Sequence, residues 1–144
     1  LLTPETFLNA IKSHTGSPIK AVVVVHLAGR VCDMTAIKNI ADKYDIRIIE
    51  DACHAIGATY SDVAGCRHSV GGCSHSDVSV FSFHPVKTIA AGEGGAVTTN
   101  NKKLAQKLEL FRNHGIIRDP KFWIFEDDGF VLQEVFIDNS IYNK

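Results

Sequence analysis

An amine that is to attack a carbonyl carbon must be uncharged, and one stretch of this sequence sets a lysine up for that role. Ser82-Phe83-His84-Pro85-Val86-Lys87-Thr88 is followed by Gly92-Glu93-Gly94-Gly95. Pro85 drives His84 toward extended backbone, so Lys87 falls in an irregular segment between two strands rather than on a solvated helix face. The glycines beyond it permit positive φ and close backbone approach. With Val86, Ile89 and Ala90 around it, the lysine is expected to be partly desolvated, which favours the neutral amine, the form that condenses with a carbonyl. The ordinary alternative is a solvated surface lysine.

A carboxylate forms the second half of the pattern. Arg47-Ile48-Ile49 reads as a short strand that runs into Glu50-Asp51-Ala52-Cys53-His54. In open α/β sheets, ligands bind outside the carboxyl ends of the strands. Asp51 is expected just past such an end, facing the crevice; its ordinary alternative is a helix N-cap. A lysine amine and a strand-end aspartate together suggest pyridoxal phosphate. That cofactor needs an amine to tether its aldehyde and a carboxylate against its pyridine nitrogen, because the protonated ring is the better electron sink.

The cysteines are Cys32, Cys53, Cys66 and Cys73. With no basic region followed by an apolar one at the N-terminus, a secretory signal and a disulfide framework are not expected. Cys66, His68, Cys73 and His75 together offer the ligand types of a zinc site. Structural zinc sites, however, pair their cysteines about two to four residues apart, and here each cysteine pairs with a histidine instead. Gly65, Gly71 and Gly72 make a surface loop the simpler reading, and no metal is expected.

The elements that must hold these residues follow from patterning. Thr3 can cap a helix over residues 4–13, with Pro4 at its first position and Phe7, Leu8 and Ile11 on one face. Residues 20–25 are apolar and mostly β-branched after Lys20, the pattern of a strand buried on both faces. Asp33 can cap a helix over 34–44 with Met34, Ile37, Ile40, Ala41 and Tyr44 facing inward. Further strands are expected at 78–83 and 96–99, and a last helix after Asn101 with Leu104, Leu108 and Phe111 on one side. Strand, helix, strand at this spacing predicts an α/β fold with a parallel sheet between helices.

Composition narrows the function class. The 144 residues carry 15 basic and 16 acidic side chains, a formal net charge of −1. That balance gives no long-range attraction to nucleic acid or anionic membrane. No apolar run approaches the ~20 residues of a bilayer span, so a cytoplasmic location is expected.

Five strings carry a resemblance. They are Val25-His26-Leu27-Ala28-Gly29, Glu50–Ala58, Ser79–Lys87, Gly92–Val97 and Arg112-Asn113-His114-Gly115-Ile116. Taken in order, they resemble the DegT/DnrJ/EryC1/StrS family of pyridoxal-phosphate-dependent sugar aminotransferases, over residues 1–120. The resemblance implies part of the large domain of a fold type I transferase, a mostly parallel sheet between helices. It implies Lys87 as the cofactor-tethering and proton-shuttling residue, Asp51 on the pyridinium nitrogen, His54 near the phenolic oxygen and Ser82 on the phosphate. It also implies an amino donor such as glutamate, a nucleotide-linked 4-keto-6-deoxy sugar as acceptor, and a homodimer for the full-length enzyme. Gly72–Asp77 looks most like the branch that aminates the 4-keto carbon of a UDP-linked 4-keto-6-deoxy-N-acetylhexosamine, in surface-polysaccharide or nonulosonic acid synthesis. Arg112–Gly115 reads as a helix terminus.

The two ends depart from the family pattern. The first residue is not Met, and the family's phosphate-binding loop does not precede it. Residues 121–144 hold six of the twelve aromatics and five acids against two lysines, with no period, cap or turn. The expectation is a fragment, with a partial cofactor-binding domain at 1–120 and a divergent aromatic and acidic tail at 121–144. The alternative is an inactive remnant or interaction module of the same fold.

Overall fold

The computed structural model describes residues 1–117 and 119 of the chain; the tail expected at 121–144 lies outside them. Two compact units are present, Leu1–Asn101 and Lys102–Lys144.

In the first unit, helix α1 spans Pro4–Ser13. The Thr3 hydroxyl accepts from the Thr6 amide at 3.2 Å and the Thr6 hydroxyl accepts from the Thr3 amide at 3.0 Å. This reciprocal pair satisfies two otherwise orphaned donors. Strand β1 follows at Ala21–Val25, then a 3-10 turn at Leu27–Gly29. Helix α2 spans Met34–Lys43, its Asp33 cap accepting from the Ala36 amide at 3.0 Å. Strand β2 is Arg47–Asp51, β3 Thr59–Ser61, β4 Arg67–Ser69, β5 Val78–Ser82 and β6 Gly95–Thr98.

The main sheet has the order β1-β2-β5-β6. β1 and β2 are parallel, as are β2 and β5, whereas β6 runs antiparallel to β5. β6 reverses because the segment 83–94 joins it to β5 without a crossover helix; Phe83 N–H still donates to Gly94 O at 2.8 Å across the base of that loop. β3 and β4 form a separate two-stranded hairpin where the sequence suggests only a loop.

Met34, Ile37 and Ala41 of α2 pack with Phe7, Val24 and Ile48 in the core. Tyr44, expected inward, is 38% exposed at the end of α2. β1 is not buried on both faces. Alternation places Val22 and Val24 toward the helices, while Val23 and Val25 stand 55% and 41% exposed on the other face. Val97 of β6 is 47% exposed; the register Asp51↔Val80 and Val80↔Val97 sets it on the same face as Asp51.

The helix-facing side also buries charge. His26 Nε2 lies 2.9 Å from Glu50 Oε1, with both side chains out of solvent. The other Glu50 oxygen accepts from Ser76 at 3.2 Å and from Ser79. Cys32 N–H donates to His26 Nδ1 at 3.3 Å, so Nε2 carries the hydrogen that Glu50 accepts. Burial alone opposes ionisation of Glu50, but the bonds from His26 and Ser79 outweigh it and hold the carboxyl below its ordinary range.

In the second unit, α3 spans Lys102–Arg112. Leu104 and Leu108 are half-buried, but Phe111 is 67% exposed. The helix ends as the sequence suggests. His114 and Gly115 take φ values of 58° and 76°, and Gly115 N–H returns to Leu110 O at 2.9 Å.

Candidate functional site

β2 extends through Asp51, which therefore ends the strand rather than following it. Its Oδ1 accepts from the Cys53 amide at 3.1 Å. The Cys53 thiol and amide donate to this carboxylate, and His54 and Lys87 add positive charge nearby. Against a smaller opposing effect of burial, they hold the Asp51 carboxyl below its ordinary range. Asp51 is thus an anion at neutral pH, half-buried at the carboxyl end of a central strand.

His54 follows in the turn after β2, and its ring is gripped from two sides. Nε2 lies 2.8 Å from the Lys87 amine. Nδ1 accepts from the Ala28 amide at 3.4 Å. Ala28 has φ of 54°, and a side chain on the adjoining Gly29, itself at φ 80°, would press to 3.3 Å on His54 O. The 3-10 turn after β1 thus presents its amide to the imidazole at close backbone range. The imidazole thus bridges the two segments, with Nδ1 toward the Ala28 amide and Nε2 toward the Lys87 amine.

Lys87 lies in the loop between β5 and β6, in a tight turn closed by its own N–H to His84 O at 2.9 Å. The expected apolar shield is not there. Val86 and Ile89 are 79% and 52% exposed, because the short turn points their side chains outward. The hydrogen bond to His54 positions the amine instead. Ser82 closes β5, its hydroxyl accepting from the His84 amide at 3.4 Å. The structure therefore gathers Asp51, His54 and Lys87 in one place, with Ser82 at the end of the neighbouring strand. The Ala28 amide had no sequence signal beyond its place in a matched string.

The cysteine–histidine set at 66–75 does not come together. Cys66 is exposed, and the Cys73 thiol turns to Thr98 O at 3.3 Å and to Ser79. The two histidines meet Asp62 instead.

Residues 1–130 match the profile of the DegT/DnrJ/EryC1/StrS aminotransferase family, beyond the residue-120 limit of the sequence resemblance. A UDP-4-amino-4,6-dideoxy-N-acetyl-beta-L-altrosamine transaminase of Campylobacter jejuni is 44% identical over 119 residues, 83% of this chain and 30% of that protein. An aminotransferase structure from Psychrobacter cryohalolentis superposes with a TM-score of 0.69 at 36% identity, over 84% of this chain and 28% of that one. NtdA of Bacillus subtilis, solved with bound cofactor PMP, gives a TM-score of 0.63 at 34% identity, over 80% and 23%. The chain thus spans under a third of the relatives it matches.

Proposed function

Because the chain belongs to the DegT/DnrJ/EryC1/StrS aminotransferase family, we propose that it is part of an enzyme that moves an amino group from glutamate to a nucleotide-linked 4-keto-6-deoxy sugar, with pyridoxal 5'-phosphate as cofactor. Its large-domain α/β fold is that of the fold type I aminotransferases it superposes on. The observation that carries the proposal is the convergence of an ionised carboxylate, an imidazole and an amine at the carboxyl end of β2 and the loop after β5.

The residues present fit the cofactor. Asp51 is held in the anionic form that pairs with a pyridinium nitrogen. Lys87 is oriented by its hydrogen bond with the His54 imidazole. When bound, the cofactor supplies an aldehyde for an amine and a ring that withdraws electrons. Lys87 would then carry a proton between donor and acceptor carbons, His54 would lie near the phenolic oxygen, and Ser82 would hydrogen-bond the phosphate. The altrosamine transaminase relative supports a UDP-linked 4-keto-6-deoxy-N-acetylhexosamine acceptor, in surface-polysaccharide or nonulosonic acid synthesis.

The full-length enzyme is proposed to be a cytoplasmic homodimer. Here residues 1–120 form the cofactor-anchoring part and 121–144 a divergent tail. Among the described residues, no helix is long and apolar enough to cross a membrane.

The test is borohydride reduction of the chain with millimolar pyridoxal phosphate, followed by peptide mass spectrometry. An adduct confined to Lys87, and lost in Lys87→Ala, supports the proposal. No adduct, or one that survives Lys87→Ala, overturns it. A second reading, a non-catalytic association module, rests on the exposed Val23, Val25 and Val97 face. A cofactor-free oligomer in solution would favour that reading, and a monomer would remove it.

A further inference from the structure

Apart from the residues around Lys87, the described residues contain one group of metal-type donors held together by the fold. Asp62, His68 and His75 offer ligand atoms all within 4.8 Å of one another. The sequence explains the meeting. β3 and β4 are antiparallel, with Tyr60 directly opposite His68. Side chains two positions apart on a strand share a face, so Asp62, one residue past β3, joins Tyr60 and His68. The turn through Gly71, at φ 86°, returns the chain so that His75 stands edge-on to His68 with ring centroids 4.8 Å apart.

Each donor is aimed by a second group. Asp62 Oδ1 accepts from the Ala64 and Cys66 amides, both at 2.9 Å, which leaves Oδ2 directed at His68 Nε2, also at 2.9 Å. The Tyr60 hydroxyl lies 2.8 Å from His75 Nδ1. A bond donated by Nδ1–H to that oxygen fixes the tautomer and leaves the Nε2 lone pair free, the arrangement found behind ligating histidines. All three donors are half-buried, so water can complete a coordination shell.

Two imidazoles and one carboxylate with an open position form a recurrent donor set for zinc and for other borderline first-row ions. Tetrahedral ligands at zinc distances stand about 3.3 Å apart, so side-chain rotation must draw the widest pair together by roughly 1.5 Å. We propose that Asp62, His68 and His75 bind a divalent first-row transition ion, with Tyr60 as a positioning residue. The ion ties the β3–β4 hairpin to the segment that carries His75. The cysteines take no part, since Cys66 is exposed and Cys73 faces β6.

The test titrates the full chain, without pyridoxal phosphate, with Zn2+ against a chromophoric chelator, and records the Co2+ absorption spectrum. The expected result is a single equivalent bound, a higher Tm on loading, and no thiolate-to-cobalt charge-transfer band. His68→Ala and His75→Ala should each weaken binding by at least about a hundredfold. Asp62→Asn keeps the acceptor for the Ala64 and Cys66 amides, so it should fold normally and still lose affinity. Tyr60→Phe should weaken binding about tenfold and shift the cobalt d–d bands, with the metal-free far-UV spectrum unchanged. Cys66→Ser should bind as wild type does. Absence of binding by the wild-type chain, a charge-transfer band, or unchanged affinity in folded Asp62→Asn would each overturn the proposal.

Discussion

His54 and Lys87 are 33 residues apart in the chain, yet imidazole Nε2 and amine Nζ meet at 2.8 Å. The contact joins the turn after β2 to the loop after β5, and neither segment has regular secondary structure at the point of contact. The parallel pairing of β2 with β5 is what brings the two ends together. The Ala28 amide on the far ring nitrogen holds the imidazole from the other side, so the ring fixes where the Lys87 amine sits.

Loss of that contact should slow the reaction of the amine without abolishing it, because the imidazole positions it. A hydrogen bond contributes about 0.5–1.5 kcal/mol net, so His54→Ala should lower the rate of Lys87 modification by pyridoxal phosphate roughly two- to tenfold. His54→Gln, which keeps a donor and an acceptor, should lie between the two. Stopped-flow absorbance during cofactor addition measures the rate; equal rates in all three proteins would remove His54 from the site.

Asp51→Asn keeps the shape of the side chain but removes its charge. Hydrogen bonds to a charged group contribute about 1.5–3 kcal/mol, so cofactor affinity should fall by about tenfold or more. The near-ultraviolet band of the bound ring should also move toward that of the unprotonated pyridine. Unchanged affinity and spectrum in equilibrium dialysis would place the ring nitrogen elsewhere.

The parts legible in the sequence are those with a local cause. Thr3 and Asp33 mark the starts of α1 and α2 because capping needs only the next three residues. Asp51 and Lys87 could be singled out because strand ends and glycine-rich loops are local signals too. Long-range features escaped. The exposure of Val23 depends on which helices cover which face, and an unbroken valine run looks the same either way. The β3–β4 hairpin has only three residues per strand and lacks strong alternation. Its Asp62 therefore carries no local signal as a partner for His68, whereas the nearby cysteines carry a strong one.

The buried Glu50 predicts an acid-sensitive component of stability. Its carboxyl is held below the ordinary range in the folded chain, so the folded state favours the ionised form. The stabilisation is complete above the unfolded carboxyl value of about 4.3 and is lost as pH falls through the lower folded value. Glu50→Gln should destabilise the chain by about 1–3 kcal/mol near neutral pH. Its stability should also fall less steeply with acid than that of wild type. Urea denaturation at a series of pH values reads both, and parallel curves would mean that Glu50 titrates alike in the folded and unfolded states.

Gly71 gives a prediction in which two effects can be separated. Its φ of 86° is strained for any L side chain, and a Cβ there would sit 2.4 Å from Phe81 Cζ. Gly57 has nearly the same φ, 81°, but nothing lies within 4 Å of its Cβ position. Gly57→Ala should therefore cost only the backbone strain, about 1–2 kcal/mol. Gly71→Ala should cost that plus about 1–3 kcal/mol for displacing the Phe81 ring. The ring packs on Ala52, Ala55 and Val70, immediately behind the turn that carries His54, so displacement should also weaken Lys87 modification in Gly71→Ala but not in Gly57→Ala. Phe81→Leu in the Gly71→Ala background should recover part of the clash cost, because the smaller side chain vacates the space. Equal destabilisation of the two alanine variants in urea would show that the Phe81 ring yields freely and does not support the turn.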